Sequence, residues 1–594
     1  MQWPRSQKQA DKGDLPLRKT LLTCLLLLFW TLPALAESAQ YQVEIAAPTE
    51  LKELLQKHLD MVKWRDNPRM NPAEWQRLYI LAPQNIKNLV ATEGYFSPKI
   101  SPSLENKNGV FTAKFTVDSG SPVLVSNVDL KFTGDINQQQ IDDKISIPKL
   151  REAWLLKTGE PFRQDDWDQA KRKLLTALLV ERFPNATISN SRAEVNLETQ
   201  TAALTVEVNS GPVITFGQTT IEGLERYPAR VVENLNPIKP SSIYSQSDLL
   251  TFQARLQESG YFQNVVVSAD TQLEDSNIAP IKVTVVENRS VKVGIGAGYS
   301  TNTGARTQLT YDDLNILDRG WRLISSLKLE QKAQSIGGEI KLPVTSKGYR
   351  DSLNASLNRS AIEGQTLTTS QVGVKRAWGP RKREQYVGTS YLVEQQDVDG
   401  GVTTTKKVGT LSYGITLRHT DNELSPTRGY LFNAQFSGAP LDALSDGKFL
   451  QSYFKTQAYY PITSSTQLIG RAEFGMVNGK NGAPEAFLFR AGGDQSVRGY
   501  AFQSLGINEG DAIVGGRYLA TGSVEVIQWL TNQWGAAAFV DFGNAANRIQ
   551  DLDPVYGYGL GARWKSPIGP IGADIAYGEA TGKYRLHFNI GVAF

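Results

Sequence analysis

The chain has 594 residues, with 63 basic and 60 acidic side chains, so its formal net charge at pH 7 is only +3. This length indicates several domains, and the near balance of charge argues against nucleic-acid binding, which requires a basic surplus. The three histidines, His58, His419 and His587, are far apart in sequence. Because no metal-binding spacing is present, we predict no metal site and no cofactor.

Residues 1–36 have the pattern of a secretory signal peptide. A basic segment precedes an apolar run at 21–30 that is too short to span a bilayer. The small-x-small sequence Ala34-Leu35-Ala36 then fits a cleavage site. The only cysteine, Cys24, lies inside this run, and Thr23 before it is a poor match to a lipoprotein signal. A mature chain without cysteine suits an oxidising compartment but excludes disulfides and thiolate-bound zinc.

Between residues 40 and 289, strand and helix signals alternate with a repeat of roughly 80–90 residues. The sequence Val117-Asp118-Ser119-Gly120 resembles Val208-Asn209-Ser210-Gly211, and a predicted strand follows each. We predict three α+β modules, at 40–120, 121–211 and 212–289. Each has the order strand, helix, helix, strand, strand.

A second repeated signal marks the point where a helix ends and a strand begins. Glu93-Gly94-Tyr95-Phe96 recurs as Ser259-Gly260-Tyr261-Phe262, and the glycine is expected in the left-handed region at the helix C-terminus. The middle module departs from this pattern, with Arg182-Phe183-Pro184 in the same place.

From residue 290 onwards, helix signals disappear and long alternating segments replace them. In 584–594 and in 533–543, apolar residues alternate with polar or small ones over about eleven residues, the length of a transmembrane β-strand. Such segments number about sixteen, an even count, as single-chain barrels require. The sequence therefore predicts a membrane barrel at 290–594.

The longest connection, roughly 480–516, is predicted to be extracellular, because the short turns at 463–465 and 531–532 fall on the opposite side. It carries the glycine-rich segment 489–500, with Arg498. Alternation places Glu525 and Asp541 on the lumen face of consecutive strands. We expect Arg498 to form charge-assisted hydrogen bonds with both carboxylates. The alternative is that these carboxylates only line a watery pore.

Several motifs in this chain resemble those of the BamA/TamA superfamily of outer-membrane assembly proteins, which includes the two-partner secretion transporters. The matching segments are Val497-Arg498-Gly499-Tyr500, Phe539-Val540-Asp541-Phe542-Gly543, residues 563–570, Pro426-Thr427-Arg428-Gly429-Tyr430 and the terminal Phe594. The resemblance implies a sixteen-stranded barrel behind periplasmic POTRA modules. It also implies insertion or translocation of β-rich outer-membrane proteins without nucleotide hydrolysis, and a lock between loop and barrel built from Arg498, Gly499, Tyr500, Glu525 and Asp541.

The number of modules distinguishes the branches of this superfamily. Three modules resemble the TamA branch, the outer-membrane subunit of the translocation and assembly module, whereas BamA has five and the two-partner transporters have two. That resemblance implies a TamB-like inner-membrane-anchored partner bound through the POTRA modules. It further implies unfolded outer-membrane protein clients such as autotransporters, contact with outer-membrane lipid, and a location in the outer membrane of a diderm bacterium.

Closure of the barrel requires its first strand to pair with its last. The first strand, 291–300, contains Gly294, Gly296 and Gly298, which weaken it, and the last ends at Phe594. We predict that this seam opens sideways and offers its edge to a client strand.

Three alternatives remain open. A two-partner-secretion-like transporter would work through the lumen instead of the seam. A passive porin would explain the barrel but not the modules. An enzyme would need a nucleophile–base arrangement, and the chain has neither Gly-x-Ser-x-Gly nor histidines near a serine motif. We therefore predict no catalytic residues.

Overall fold

The computed structural model of the protein describes residues 40–138, 145–272, 276–479, 482–566 and 569–590. The predicted signal peptide, with Cys24, and the terminal Phe594 lie outside these residues. The chain divides into two compact units, Met1–Val213 and Ile214–Phe594. No helix within the described ranges combines the length and apolarity needed to cross a membrane.

The first module packs helices on a three-stranded sheet. Its longest helix begins after Asn71, whose side chain accepts the Glu74 N–H at 3.0 Å, and Pro72 is its first residue. The fully buried Trp75 lies one turn further on. The sheet order is β1-β3-β2, with β1 and β3 parallel. The elements are β1 (Gln40–Ala46), α1 (Thr49–His58), α2 (Asp60–Trp64), α3 (Pro72–Ala91), β2 (Lys99–Lys107) and β3 (Val110–Asp118).

The second module repeats this plan with the sheet order β4-β6-β5. It joins the first module through backbone hydrogen bonds, from Val123 N–H to the Gly94 carbonyl at 2.9 Å and from Gln164 N–H to the Thr92 carbonyl at 2.8 Å. Its core contains the aromatic residue Trp167. The elements are β4 (Leu124–Thr133), α4 (Ile147–Glu152), α5 (Gln164–Leu179), β5 (Thr187–Asn196) and β6 (Thr201–Asn209).

The third module begins the second compact unit and has the sheet order β7-β9-β8. Its elements are β7 (Thr215–Glu222), α6 (Arg230–Glu233), α7 (Gln246–Glu258), β8 (Phe262–Ala269) and β9 (Ile278–Glu287). It shows the expected order of strand, two helices and two strands, whereas the first module has three helices.

The predicted helix-ending glycines adopt the left-handed conformation. The φ angle is 92° at Gly94 and 79° at Gly260. In the second module Arg182 occupies the corresponding position with a φ of 67°. The backbone geometry is thus retained where the glycine is not, although a non-glycine residue is strained in this region.

The C-terminal region forms one antiparallel sheet of sixteen strands, ordered along the chain from β10 to β27. A two-stranded hairpin, β21–β22, lies in the connection between β20 and β23 and belongs to a separate sheet. The predicted architecture, α+β modules followed by an antiparallel barrel of about sixteen strands, is confirmed. The strands are β10 (Val291–Ser300), β11 (Gly304–Ile316), β12 (Trp321–Glu330), β13 (Ala333–Lys341), β14 (Arg350–Ile362), β15 (Gln365–Trp378), β16 (Arg383–Val398), β17 (Thr404–Thr420), β18 (Gly429–Gly438), β19 (Phe449–Pro461), β20 (Thr466–Gly479), β21 (Ile507–Glu509), β22 (Ala512–Val514), β23 (Tyr518–Trp529), β24 (Trp534–Ala546), β25 (Val555–Ser566), β26 (Gly569–Gly578) and β27 (Lys583–Ile590).

Side chains alternate between the two faces of the barrel wall as strand geometry dictates. Along β24, Trp534 and Val540 are exposed on the lipid face, whereas Phe539 and Asp541 are buried on the lumen face. Trp534 stacks on Trp564 of β25 with ring centroids 5.7 Å apart, on the side of the short turns. Such aromatic residues are typical of the membrane interface.

The third module is attached to the turn between β11 and β12. The Tyr261 hydroxyl donates to the Gly320 carbonyl at 2.6 Å, and Arg230 Nη2 donates to the Arg319 carbonyl at 2.9 Å. Leu314 of β11 is buried in the core of the module. Burial raises the pKa of Tyr261 to about 12, so its hydroxyl keeps the proton that it donates. These contacts place the module on the short-turn side of the barrel.

Candidate functional site: the inner loop and the barrel seam

Residues 482–517, here called the inner loop, connect β20 to β23 and fold back against the inside of the barrel wall. Phe489 and Ala491 pack with lumen-facing residues in one apolar cluster. On β16, the buried carboxylate of Glu394 accepts the N–H groups of Glu485 and Ala486, at 2.6 and 2.7 Å. The inner loop is therefore held by both apolar and polar contacts and fills part of the lumen.

Arg498 lies in the inner loop and is only 2% exposed. Its Nε and Nη2 donate to the two carboxylate oxygens of Asp541, at 2.7 and 2.9 Å. Its Nη1 donates to Glu525 at 2.8 Å and to Asp574 at 2.9 Å. The guanidinium also stacks on the ring of Phe539, 3.2 Å from the centroid. The structure thus brings together the three charged residues that the sequence predicts, and it adds Asp574.

A second guanidinium completes this group. Arg563 donates to both oxygens of Glu525 at 2.8 Å and to Asp574 at 2.5 Å. We call Arg498, Arg563, Glu525, Asp541 and Asp574 the charge cluster. Its two cations and three anions leave one negative charge, and Arg471, 3.9 Å from Asp541, supplies a positive charge nearby. Charges this deeply buried are tolerated because they are paired and hydrogen-bonded.

The charge cluster borders a cavity of about 160 Å³ in the lumen, which is also lined by Lys455 and Glu473. A cavity of this size has room for several water molecules. Each carboxylate of the cluster is bound by a guanidinium. No group of three or more metal-ligating side chains occurs in the described part of the chain.

Gly499 and Tyr500 hold the inner loop against the barrel wall in different ways. Gly499 has a φ of 95°, and a Cβ there would lie 2.7 Å from the backbone nitrogen of Gly578. The carbonyl of Arg498 approaches Gly557 so closely that a Cβ at that position would also clash. The Tyr500 hydroxyl donates to the Tyr556 carbonyl and accepts the Ala580 N–H, both at 3.0 Å. These glycines permit the close approach that delivers Arg498 to its carboxylates.

Three members of this arrangement were not anticipated, namely Arg563, Asp574 and His587. Asp574 and His587 face the lumen from β26 and β27, where they stand opposite each other in the ladder. His587 Nε2 accepts the Gly499 N–H at 3.0 Å. Alternation along 571–577 would have revealed Asp574, because it shares the lumen face with Arg563 while Ile571 and Ile575 alternate with it.

Of the predicted seam residues, Gly294, Gly296 and Gly298 lie on β10 at one end of the sheet, and Phe594 lies outside the described residues. All ten residues of β10 pair with β11, and no ladder joins β10 to β27 among the residues that the structure describes. The pairing of first and last strands that we expected is therefore not present in that part of the chain. Ile295 is 82% exposed, and a Cβ at Gly296 would meet nothing within 4 Å. Within the described residues, the sixteen strands form a barrel that hydrogen bonds nearly close.

Comparisons with known proteins agree with this architecture. The model of the Omp85 superfamily domain matches residues 289–594, and the POTRA model, described as a surface antigen variable number repeat, matches residues 214–288. BamA from Haemophilus ducreyi lacking POTRA domains 1–3 superposes with a TM-score of 0.67 at 17% identity, covering 79% of this chain and 100% of that one.

Two curated relatives extend the comparison. The outer membrane protein assembly factor BamA of Neisseria meningitidis serogroup B is 22% identical over 551 residues, covering 78% of this chain and 66% of its own length. The chloroplastic outer envelope protein 80 of Arabidopsis thaliana is 33% identical over 141 residues, covering 21% of this chain and 18% of that protein. The chain thus spans less than two thirds of either relative. It is an outer-membrane barrel with a periplasmic POTRA domain, and it belongs to the Omp85 superfamily.

Proposed function

We propose that this protein is an assembly factor of the TamA type, which inserts or translocates β-rich outer-membrane proteins such as autotransporters through a laterally opening seam. The observation that carries the proposal is the outer edge of β10, which forms no ladder with β27 among the described residues. Strand backbone groups exposed to lipid are costly because hydrocarbon offers no hydrogen-bonding partner. A client strand that pairs with β10 would satisfy these groups and its own at the same time.

The glycines of β10 support this role. Gly294, Gly296 and Gly298 carry no side chains on the lumen face, so few contacts hold β10 to a neighbour on its free edge. Lateral entry of a strand exchanges backbone hydrogen bonds for equivalent ones. The reaction therefore needs no nucleotide hydrolysis, and we assign the protein no enzymatic activity.

The modules supply the periplasmic side of this function. Each has a three-stranded sheet in which one edge strand, β2, β5 or β8, has no further strand beside it among the described residues. Such an edge can bind an extended chain by β-augmentation. We assign them the capture of unfolded clients and the binding of a TamB-like partner anchored in the inner membrane. The relative named an outer membrane protein assembly factor supports the general role, and three modules favour the TamA branch over BamA.

The competing proposal is polypeptide transport through the lumen, as in two-partner secretion. The inner loop opposes it, because its apolar cluster and the charge cluster occupy the lumen. The same packing argues against a passive porin.

A covalent link across the seam distinguishes seam insertion from lumen transport. Cysteines replacing Ile295 and Leu586, both exposed on the lipid face of the two terminal strands, would be joined by a short bismaleimide. The matched control links Ala536 and Ala562, which are paired in the β24–β25 ladder. We expect the seam link to block insertion of a client barrel into vesicles and the control link to leave it unchanged. Normal insertion with the seam fully linked would contradict the proposal and favour the lumen.

A further inference from the structure

One short segment of the inner loop contacts both the turn that follows β10 and the strand β27. β10 and β27 are the two end strands of the sheet, and they share no ladder in the described part of the chain. We call residues 494–499 the strap. Its first residue contacts the turn that follows β10, and its last contacts β27. Between them, Arg498 is anchored in the charge cluster. The strap therefore bridges the gap across which no backbone ladder is described.

The contact with the first edge is made by Asn302, in the turn between β10 and β11. Its Nδ2 donates to the Asp494 carboxylate at 2.5 Å. Asp494 is 9% exposed, so this charge-assisted hydrogen bond is well shielded from water. Gly493 has a φ of 104°, and a Cβ there would lie 3.3 Å from Asn302 Oδ1. A glycine at this position thus leaves room for the asparagine.

The contact with the last edge is made by His587, which is 3% exposed. Its Nε2 accepts the Gly499 N–H at 3.0 Å, which assigns the ring proton to Nδ1. That Nδ1 has no partner among the described residues. A buried donor without a partner is destabilising, so the position of this histidine is not explained by stability alone.

We propose that the strap holds β10 and β27 at a fixed spacing, with Asn302 and His587 as the positioning residues of the two edges. The strap takes the place of a backbone ladder at the outer end of the seam. Release of either contact frees one edge while Arg498 keeps the loop anchored to β23 and β24. Only the further consequence, entry of a client strand when the strap is released, rests on the proposed function.

The spacing of the edges is measurable by electron–electron double resonance. Spin labels replace Tyr299 and Tyr584, which lie at the outer ends of β10 and β27 and are 70% and 75% exposed. The labelled background carries Cys24→Ser. In the unaltered strap we expect one narrow distance distribution.

Exchanging the members of the Asn302–Asp494 pair tests the first contact. Asn302→Asp places two carboxylates face to face, and we expect a second population at longer distance. Adding Asp494→Asn restores a donor and an acceptor at unchanged net charge, and we expect the narrow distribution to return. If the single variant fails to fold and the exchanged pair folds, that rescue equally supports the contact. An unchanged distribution in Asn302→Asp, or a broad one in the exchanged pair, would overturn the proposal.

A matched control separates the strap from general loosening of the inner loop. Gln451→Ala removes one amide hydrogen bond between β19 and the inner loop, 2.9 Å long and distant in sequence from the seam strands. We expect no change in the distances. The second contact is tested by His587→Phe, which removes the acceptor and keeps a ring. It should lengthen the distances, and an unchanged distribution would refute the role of His587.

Client insertion measured on the same variants keeps the two proposals distinguishable. Longer distances with unchanged insertion would leave the strap standing and refute lateral insertion. Unchanged distances would refute the strap, whatever the insertion rate.

Discussion

Removal of Arg498 should destabilise the barrel because it leaves a buried carboxylate without its main guanidinium partner. In Arg498→Ala, Glu525 and Asp574 keep the guanidinium of Arg563. Asp541, which is fully buried, loses both side-chain hydrogen bonds from Arg498. It keeps the backbone N–H of residue 498 at 3.0 Å and the more distant guanidinium of Arg471 at 3.9 Å. We expect a cost of about 3 kcal/mol, the lower end of the range of about 3–5 kcal/mol for a buried ion pair that loses one member.

Removal of the partner carboxylate should cost less stability. In Asp541→Ala, Arg498 still donates to Glu525 and Asp574, and two cations then face two anions. We expect a loss of about 1–3 kcal/mol, the cost of a few charge-assisted hydrogen bonds. The double variant removes one charge of each sign, so it should be no less stable than Arg498→Ala.

Urea titration of the folded barrel in vesicles, followed by heat-modifiable mobility on gels, measures these differences. Gln451→Ala is a control that removes a hydrogen bond of the inner loop without uncovering a charge. Additive losses in the double variant would show that the two residues act separately. Equal losses in the two single variants would refute the argument from residual charge.

Three further predictions concern the inner loop and the modules. Gly499→Ala should reduce stability more than Gly470→Ala, because residue 499 has a positive φ and a close backbone neighbour whereas a Cβ at 470 meets nothing within 4 Å; equal effects in the same titration would contradict this. Burial alone would raise the pKa of Glu287, but the N–H groups of residues 225–227 and the Arg226 guanidinium outweigh burial and lower it. The contribution of Glu287 to the stability of the third module should therefore be constant above pH 4.5, the ordinary pKa of a glutamate, and should fall as the pH drops below that value. Glu287→Gln should remove this pH dependence in a thermal melt. A pH dependence that persists in the variant would show that another group causes it. Deletion of residues 40–211 should leave a heat-modifiable barrel that no longer captures the TamB-like partner, and normal capture would show that the partner does not bind the first two modules.

Strand alternation made much of the barrel predictable. Along β24 the alternation of apolar and small residues correctly separated the lipid face from the lumen face, because a barrel wall exposes each strand to two different environments. The same alternation predicted that Arg498, if it entered the lumen, would meet Glu525 and Asp541. The functional role of these residues, like the module boundaries, stays a prediction.

Other features depend on contacts distant in the sequence. The third helix of the first module and the hairpin β21–β22 were not anticipated, because short segments carry little periodic signal. Arg182 kept a glycine conformation that its residue type disfavours. The strap could not be predicted, since Asn302 and Asp494 are 192 positions apart and Asn302 belongs to no recognisable pattern.

The most direct test of the seam is to observe which side of the wall a client strand contacts. A photoreactive phenylalanine analogue at Ile295 would be compared with the same residue at Val372, a lipid-facing position of β15 that is 57% exposed, and at its lumen-facing neighbour Gln371. With an autotransporter barrel arrested during insertion, we expect client adducts from Ile295 and none from the two β15 positions. Adducts from Gln371 without any from Ile295 would contradict lateral insertion and place the client in the lumen.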